Sequence, residues 1–315
     1  EAENNIIKLI ANDLEIGIET VIEGQIVEEG NVAIGAKVFS DIIRKLPSEQ
    51  VEINVNENYQ LFIKCGKAKF NIAAKPTDEF PYLPQIVKEK HVEISDNENT
   101  KVMTGELFEI TDNKLKVVSL DGHRISIRNV ELNNSYDNIS VIIPGKTLIE
   151  INKILNGGVD DIVKIYFTDK HILFEFENTV VLSRLIEGEY YKIDKMLSSD
   201  YETKITVNKK EMLDSIDRTT LLMKESEKKP VIIDIKDNSM GLAMNSSIGS
   251  MDEEIDAVKE GKDILIGFNP RFLIDALRVI DDEEITLYMI NPKAPCFIRD
   301  KDESYIYLIL PVNFN

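Results

Sequence analysis

Three stretches of this chain share one pattern: Val32-Ala-Ile-Gly-Ala-Lys-Val-Phe-Ser-Asp-Ile-Ile-Arg-Lys-Leu46, Val141-Ile-Ile-Pro-Gly-Lys-Thr-Leu-Ile-Glu-Ile-Asn-Lys-Ile-Leu155 and Leu265-Ile-Gly-Phe-Asn-Pro-Arg-Phe-Leu-Ile-Asp-Ala-Leu-Arg-Val-Ile280. Each opens with a short apolar strand, breaks, and continues as an amphipathic helix. Aligned on the first base (Lys37, Lys146, Arg271), each has an acid four positions on (Asp41, Glu150, Asp275) and a base seven positions on (Arg44, Lys153, Arg278). Apolar side chains fill offsets two, five, six and nine, with Asn152 the one polar exception. At about 100° per residue those offsets centre on one face, and offsets zero and seven fall within ~20° of one another on the opposite face. The spacing predicts three helices, at 37–46, 146–155 and 271–280, each burying one side and presenting two aligned cations on the other. One basic outer face is ordinarily just solvated. Three in the same register are harder to dismiss.

Strands flank each helix. Residues 6–19, 115–128 and 240–251 alternate before it; after it come 51–55, 60–64 and 69–72, then 163–167, 171–176 and 180–183, then 285–289, 295–299 and 304–310. These short period-two runs separated by turn residues predict antiparallel meanders. Each repeat is therefore an α+β unit with helices on one sheet face. The repeats are unevenly spaced: Lys37 to Lys146 spans 109 positions, and Lys146 to Arg271 spans 125. In the third repeat an amphipathic stretch, Asn208 to Met223, follows the strand Lys204–Val207, whereas in the second the strand His91–Ser95 runs almost directly into Gly105-Glu-Leu-Phe. The spacing predicts three domains, 1–89, 90–199 and 200–315, with one helix missing from the second and the N-terminal half missing from the first.

Composition narrows the function. Thirty-seven Lys and Arg against fifty-six Asp and Glu leave a formal charge of −19. Such a chain repels nucleic acid on average, which excludes a protein gripping phosphates over its whole surface. The three helical stretches nonetheless carry seven bases against three acids, so charge is segregated onto them. Two distant cysteines, Cys65 and Cys296, form no CxxC and argue against a zinc site or a disulfide framework, as in a reducing cytoplasm. No apolar run reaches ~18 residues, so no membrane helix is expected. The acidic start, Glu-Ala-Glu-Asn-Asn, does not read as a signal peptide.

Val117-Val-Ser-Leu-Asp-Gly-His-Arg-Ile-Ser-Ile127 resembles the second-domain strand-and-turn signature of bacterial sliding clamps, the beta subunit of DNA polymerase III. So do Asp78-Glu-Phe-Pro-Tyr-Leu83, Ile142-Ile-Pro-Gly-Lys146, Ile266-Gly-Phe-Asn-Pro-Arg-Phe-Leu273 and Leu308-Ile-Leu-Pro-Val312, in the right order along the whole chain. The resemblance implies three repeated clamp domains and a head-to-tail homodimeric ring, with helices lining the hole and sheets outside. It implies no cofactor. The implied partners are duplex DNA held topologically, the DNA polymerase III alpha subunit, the clamp loader and other proteins with clamp-binding motifs.

The resemblance also implies a peptide pocket between domains two and three. The matching positions are Met103, Leu120, Gly122, His123, Arg124, Ile125, Tyr191, Lys195, Met196, Pro295, Leu308, Leu310, Pro311, Val312 and Asn313. Met and Leu walls adapt to varied apolar anchors, and Gly122 is expected to let a backbone approach closely. Tyr191 stands where relatives often have Pro, and Lys195 and Asn313 stand where Arg is common. The implied DNA-facing bases are Lys37, Arg44, Lys45, Lys101, Lys146, Lys153, Lys209, Lys210, Arg218, Arg271 and Arg278. The implied dimer contacts are Phe70 and Ile72 on one side, and Leu221 and Leu222 on the other.

Two other readings compete. An enzyme would need a nucleophile–base constellation, but His91, His123 and His171 show no HExxH spacing, and there is no G-x-S-x-G elbow or P-loop. A peptide-binding scaffold without a DNA role leaves the repeated basic face unexplained.

Overall fold

The computed structural model describes residues 1–47, 49–78, 80–84, 86, 92–95 (backbone), 107–155, 162–193, 196–197, 200–223 and 229–314. In chain order the elements are β1 Ala2–Glu3, β2 Ile6–Asn12, β3 Ile16–Ile22, β4 Ala33–Ile34, α1 Ala36–Ile43, β5 Val51–Val55, β6 Gln60–Cys65, β7 Ala68–Lys75, β8 Val92–Ser95, β9 Leu107–Leu120, β10 Arg124–Ile142 and α2 Gly145–Ile154. There follow β11 Ile162–Phe167, β12 His171–Phe176, β13 Thr179–Arg184, β14 Thr203–Asn208, α3 Lys209–Thr220, β15 Val231–Lys236, β16 Ser239–Asn245, β17 Ser250–Gly261, β18 Ile264–Phe268, α4 Pro270–Leu277, β19 Glu284–Met289, β20 Cys296–Arg299 and β21 Tyr305–Ile309. No helix among the described residues is long and apolar enough to cross a membrane.

The chain divides into two compact units: residues 1–92 with 162–184, and residues 93–161 with 185–315. The first unit holds a run of six paired strands, β1-β2-β3-β13-β12-β11, and a four-stranded sheet, β4-β7-β6-β5. The second holds a ten-stranded sheet, β18-β15-β16-β17-β14-β19-β20-β21-β10-β9. Two pairings join consecutive repeats. In the first unit β13 pairs with β3, Val181 opposite Ile18; in the second β10 pairs with β21, Ile127 opposite Ile306. Period-two patterning marks a strand and its buried face, but does not choose its partner. The meanders appear where the alternation predicts them, yet the sheets run on past the repeats.

Three stretches read as single alternating strands are hairpins. Residues 6–19 turn at Asp13, whose Oδ1 accepts from Ile16 N at 2.9 Å, with Leu14 at φ 75°. Residues 115–128 turn at Asp121–His123, and 240–251 turn between Asn245 and Ser250. A short turn closed by a side chain leaves the apolar–polar alternation unbroken, which is why the pattern conceals it.

The helices begin one residue before the predicted starts, and α1 and α4 end three residues sooner, leaving Arg44 and Arg278 as C-caps. α4 starts with Pro270 after Asn269, whose side chain accepts from Arg271 N; α3 starts after Asn208, which accepts from Glu211 N. α2 buries Leu148 and Ile151, and α4 buries Leu273, Ile274, Ala276 and Leu277. α1 departs from expectation, because none of its residues is buried. It is the sole helix of its unit among the described residues, whereas α4 lies in the same core cluster as Met212 and Ile216 of α3. A helix whose outer flank meets no second helix keeps its apolar stripe half-exposed. The helix expected to be missing after His91–Ser95 falls at 96–106, outside the described residues.

Candidate functional site

The turn singled out in the sequence lies in the ten-stranded unit. β9 and β10 form a long hairpin closed by Asp121 N donating to Arg124 O at 3.0 Å. Asp121 builds the turn: Oδ1 accepts from the backbone N–H of His123 at 2.8 Å and of Arg124 at 3.1 Å. Gly122 and His123 stand exposed at the tip. A Cβ on Gly122 would meet nothing within 4 Å, so the space over the turn is open within the chain itself. An intrachain close approach is found at Gly267 of β18, where a Cβ would lie 2.5 Å from the Phe314 ring, and whose carbonyl accepts from Val312 N at 2.8 Å.

Arg124 fastens the hairpin to its neighbours. Nε donates to Asp121 Oδ2 at 2.9 Å and Nη1 to Asp275 Oδ2 of α4 at 2.6 Å; Nη1 also lies 3.4 Å from the Tyr307 hydroxyl. The guanidinium carbon sits 4.3 Å from the centroid of the Phe272 ring, and the His123 ring stacks on that ring at 6.0 Å. Burial alone would lower the Arg124 pKa, but the bonds to Asp275 and Asp121 outweigh it and raise it. Burial likewise opposes ionisation of Asp121, yet its bonds from Arg124 and His123 hold the carboxyl below its usual range. The Tyr307 hydroxyl donates to the Phe272 carbonyl at 3.0 Å, and burial pushes this phenol up to about 12.

The other face of β10 supplies an apolar floor. Ile125 and Ile127 cluster with Val118, Phe297, Leu308 and Ile193, and Leu120, Tyr190 and Leu197 pack partly buried against them. The segments flanking this floor carry apolar side chains left in solvent: Tyr191 is 72% exposed, Met196 55%, Leu310 38% and Val312 36%. Pro295 and Pro311 are half-buried and Asn313 is exposed. Leu310 N donates to the His123 carbonyl at 2.9 Å, so the terminal strand is pinned to the hairpin tip. A buried apolar floor with an exposed apolar rim suits a peptide that inserts apolar anchors. The structure thus gathers the hairpin, the 190–197 segment and the C-terminal segment around one cluster. Met103 and Lys195 lie outside the described residues. Phe272, Asp275, Tyr307, Tyr190 and Ile193 belong to this neighbourhood and were not singled out in the sequence; the one available signal was Asp275, an acid recurring at the same helical offset in all three repeats.

The predicted cations differ in what they do. Lys37, Arg44, Lys45 and Arg271 are exposed and have no ion pair among the described residues. Lys146 is exposed on α2, and Lys153 is bound to Glu150 at 2.8 Å. Lys210 lies 3.9 Å from Asp214, and Arg278 lies 3.6 Å from Asp217. Two hold structural bonds: Lys209 donates to the Ile280 carbonyl at 2.5 Å, and Arg218 forks onto Glu253 of β17 with Nε and Nη2. That fork raises the Arg218 pKa and lowers that of Glu253. Lys101 is outside the described residues.

Of the predicted dimer residues, Phe70 is 38% exposed and Ile72 half-buried on β7. β4 pairs only with Ala74 and Lys75, so among the described residues 68–73 have β6 on one side and no strand on the other. Leu221, the C-cap of α3, is exposed, and Leu222 packs against the core of its unit.

Comparison with known proteins agrees with this architecture along the whole chain. Residues 1–84 match the model of the DNA polymerase III beta subunit N-terminal domain, 79–192 the central domain and 194–313 the C-terminal domain. The beta sliding clamp of Staphylococcus aureus (strain Mu50 / ATCC 700699) is 32% identical over 339 residues, covering 99% of this chain and 90% of the relative. The crystal structure of a putative DNA polymerase III beta subunit from Eubacterium rectale superposes with a TM-score of 0.91 at 57% identity, covering 100% of this chain and 90% of that one. The Bacillus subtilis DNA polymerase sliding clamp does so at 0.88 and 32%, with the same coverage. The fold is the three-domain clamp fold of antiparallel sheets and few helices, and the chain belongs to the DNA polymerase III beta subunit family.

Proposed function

We propose that this chain is a DNA sliding clamp, a processivity factor that encircles duplex DNA as a head-to-tail homodimer and tethers the replicative polymerase through the cleft beside the β9–β10 turn. The observation that carries the reading is the run of three clamp-domain matches along a chain of charge −19 that gathers cations on repeated helices. Topological retention needs no tight phosphate grip. Weak, sequence-independent attraction from Lys37, Arg44, Lys45, Lys146, Lys153, Arg271 and Arg278 lets a ring slide, while an acidic outside keeps DNA from the wrong face. The polymerase, held at high effective concentration, rebinds its template faster than it escapes.

The domains follow the spacing of the repeats, 1–89, 90–199 and 200–315. The open edge of β7, with Phe70 and Ile72, joins the Leu221–Leu222 region of a second copy by edge-strand addition. The protein works in the cytoplasm on the nucleoid and performs no catalysis. Its partners are the polymerase alpha subunit, the clamp loader and other proteins carrying a short linear peptide with apolar anchors. Replacing both Leu310 and Val312 by Ala is expected to weaken alpha-subunit binding by about 100-fold, roughly 1–2 kcal/mol per anchor contact, and to leave the dimer intact in sedimentation. Unchanged alpha-subunit affinity would remove the cleft from the account.

A further inference from the structure

Peptide-binding walls must be held in place, and here the hold comes from the far side of the sheet. The wall residue Leu310 is anchored by its N–H to the His123 carbonyl at 2.9 Å. That carbonyl belongs to a hairpin tip fastened by Arg124, which reaches across to Asp275 of α4 at 2.6 Å. Within its own hairpin Arg124 has Asp121, an acid three residues away, at 2.9 Å. Among the described residues, Asp275 is therefore the one carboxylate binding Arg124 that lies outside the hairpin, 151 residues along the chain. The acids at the same helical offset do other things: Glu150 pairs within its own helix to Lys153, and Asp41 is exposed. Asp275 also shares α4 with the solvent-facing Arg271, and Arg278 caps that helix.

We infer that Asp275 is a positioning residue of the peptide cleft: by holding the Arg124 guanidinium it fixes the hairpin tip whose carbonyl anchors the Leu310 wall. The inference deepens the proposed clamp reading and rests on the cleft being the polymerase site. Asp275 touches no peptide. Its loss leaves Arg124 with Asp121 as its carboxylate partner among the described residues and lets the tip, with Leu310 and Val312 behind it, sample positions that do not fit an anchor. A charge-assisted bond of this kind is directional, so a neutral isostere weakens it while a longer carboxylate retains it.

The test uses the full-length dimer, with Asp275→Asn and Asp275→Glu compared with wild type. Immobilised polymerase alpha subunit reports affinity, hydrogen–deuterium exchange over 305–314 reports the wall, and thermal melting reports the fold. Asp275→Asn is expected to bind the alpha subunit about tenfold more weakly and to exchange faster over 305–314, with melting nearly unchanged. Asp275→Glu is expected to recover most of both. A merely structural role in α4 would lower melting without a selective change at 305–314. Wild-type affinity and wild-type exchange in Asp275→Asn would overturn the inference. If wild type itself fails to bind the alpha subunit, the cleft reading falls, and exchange over 305–314 still decides whether Asp275 holds the wall. If Leu310→Ala/Val312→Ala loses binding while Asp275→Asn does not, the cleft reading stands and the positioning role is wrong.

Discussion

Tyr307 shows how one side chain can belong to two systems. Its ring lies in the large core of the ten-stranded unit, while its hydroxyl donates to the Phe272 carbonyl and stands beside Arg124. Removing that hydroxyl in Tyr307→Phe takes away the second donor to a helix carbonyl and is expected to cost about 1 kcal/mol in urea unfolding at neutral pH. The same group sets an alkaline limit. Its folded pKa is raised from 10.0 to about 12, so the folded state favours the neutral phenol. That contribution is complete below 10.0 and is lost as pH rises towards about 12. Wild type should therefore lose more stability than Tyr307→Phe between those limits, as melting followed across the alkaline range would show. A parallel loss in both proteins would mean the phenol is not buried as described. None of this is legible in a linear reading. The Gly122-His123-Arg124 motif located the hairpin by resemblance, but the partners of Arg124 come from residues 275 and 307, and only folding brings them together.

Elements were more legible than their partners. The meander strands appear because alternation over four to eight residues marks a half-buried strand whatever it pairs with. The helices appear because their apolar offsets are strict. The pairings β3–β13 and β10–β21 left no trace, since Thr20 opposite Thr179 and Arg128 opposite Tyr305 are joined across about half of the chain. The buried side of α1 failed for a related reason: burial depends on what packs above a helix, not on its own pattern. One junction in the ten-stranded sheet can be tested by substitution. Gly261 ends β17 at φ 97°, and a Cβ there would lie 2.0 Å from the Glu202 carbonyl oxygen. Gly261→Ala is expected to destabilise the protein by about 3 kcal/mol, from backbone strain and the clash together, as a lowered urea midpoint would show. A midpoint within experimental error of wild type would contradict the β14–β17 register that places Gly261 opposite Thr203.

At the scale of the molecule the charge of −19 and the basic helices need one explanation. An acidic chain and a set of basic helices are reconciled when, as proposed, DNA passes through a ring rather than over a face. Reversing Lys146 and Lys153 to Glu should then slow clamp loading several-fold at low salt, with the difference fading near 0.15 M salt where the Debye length falls to ~8 Å. Equal loading at low salt would take α2 off the DNA side. The most direct measurement tests encirclement itself. The protein is loaded onto nicked circular DNA by its clamp loader, the free protein is removed, and the circle is then cut once. A ring slides off the new ends, so retention should collapse on linearisation and persist on the uncut circle. Retention unchanged by the cut would mean that the protein grips DNA from outside, contradicting the account.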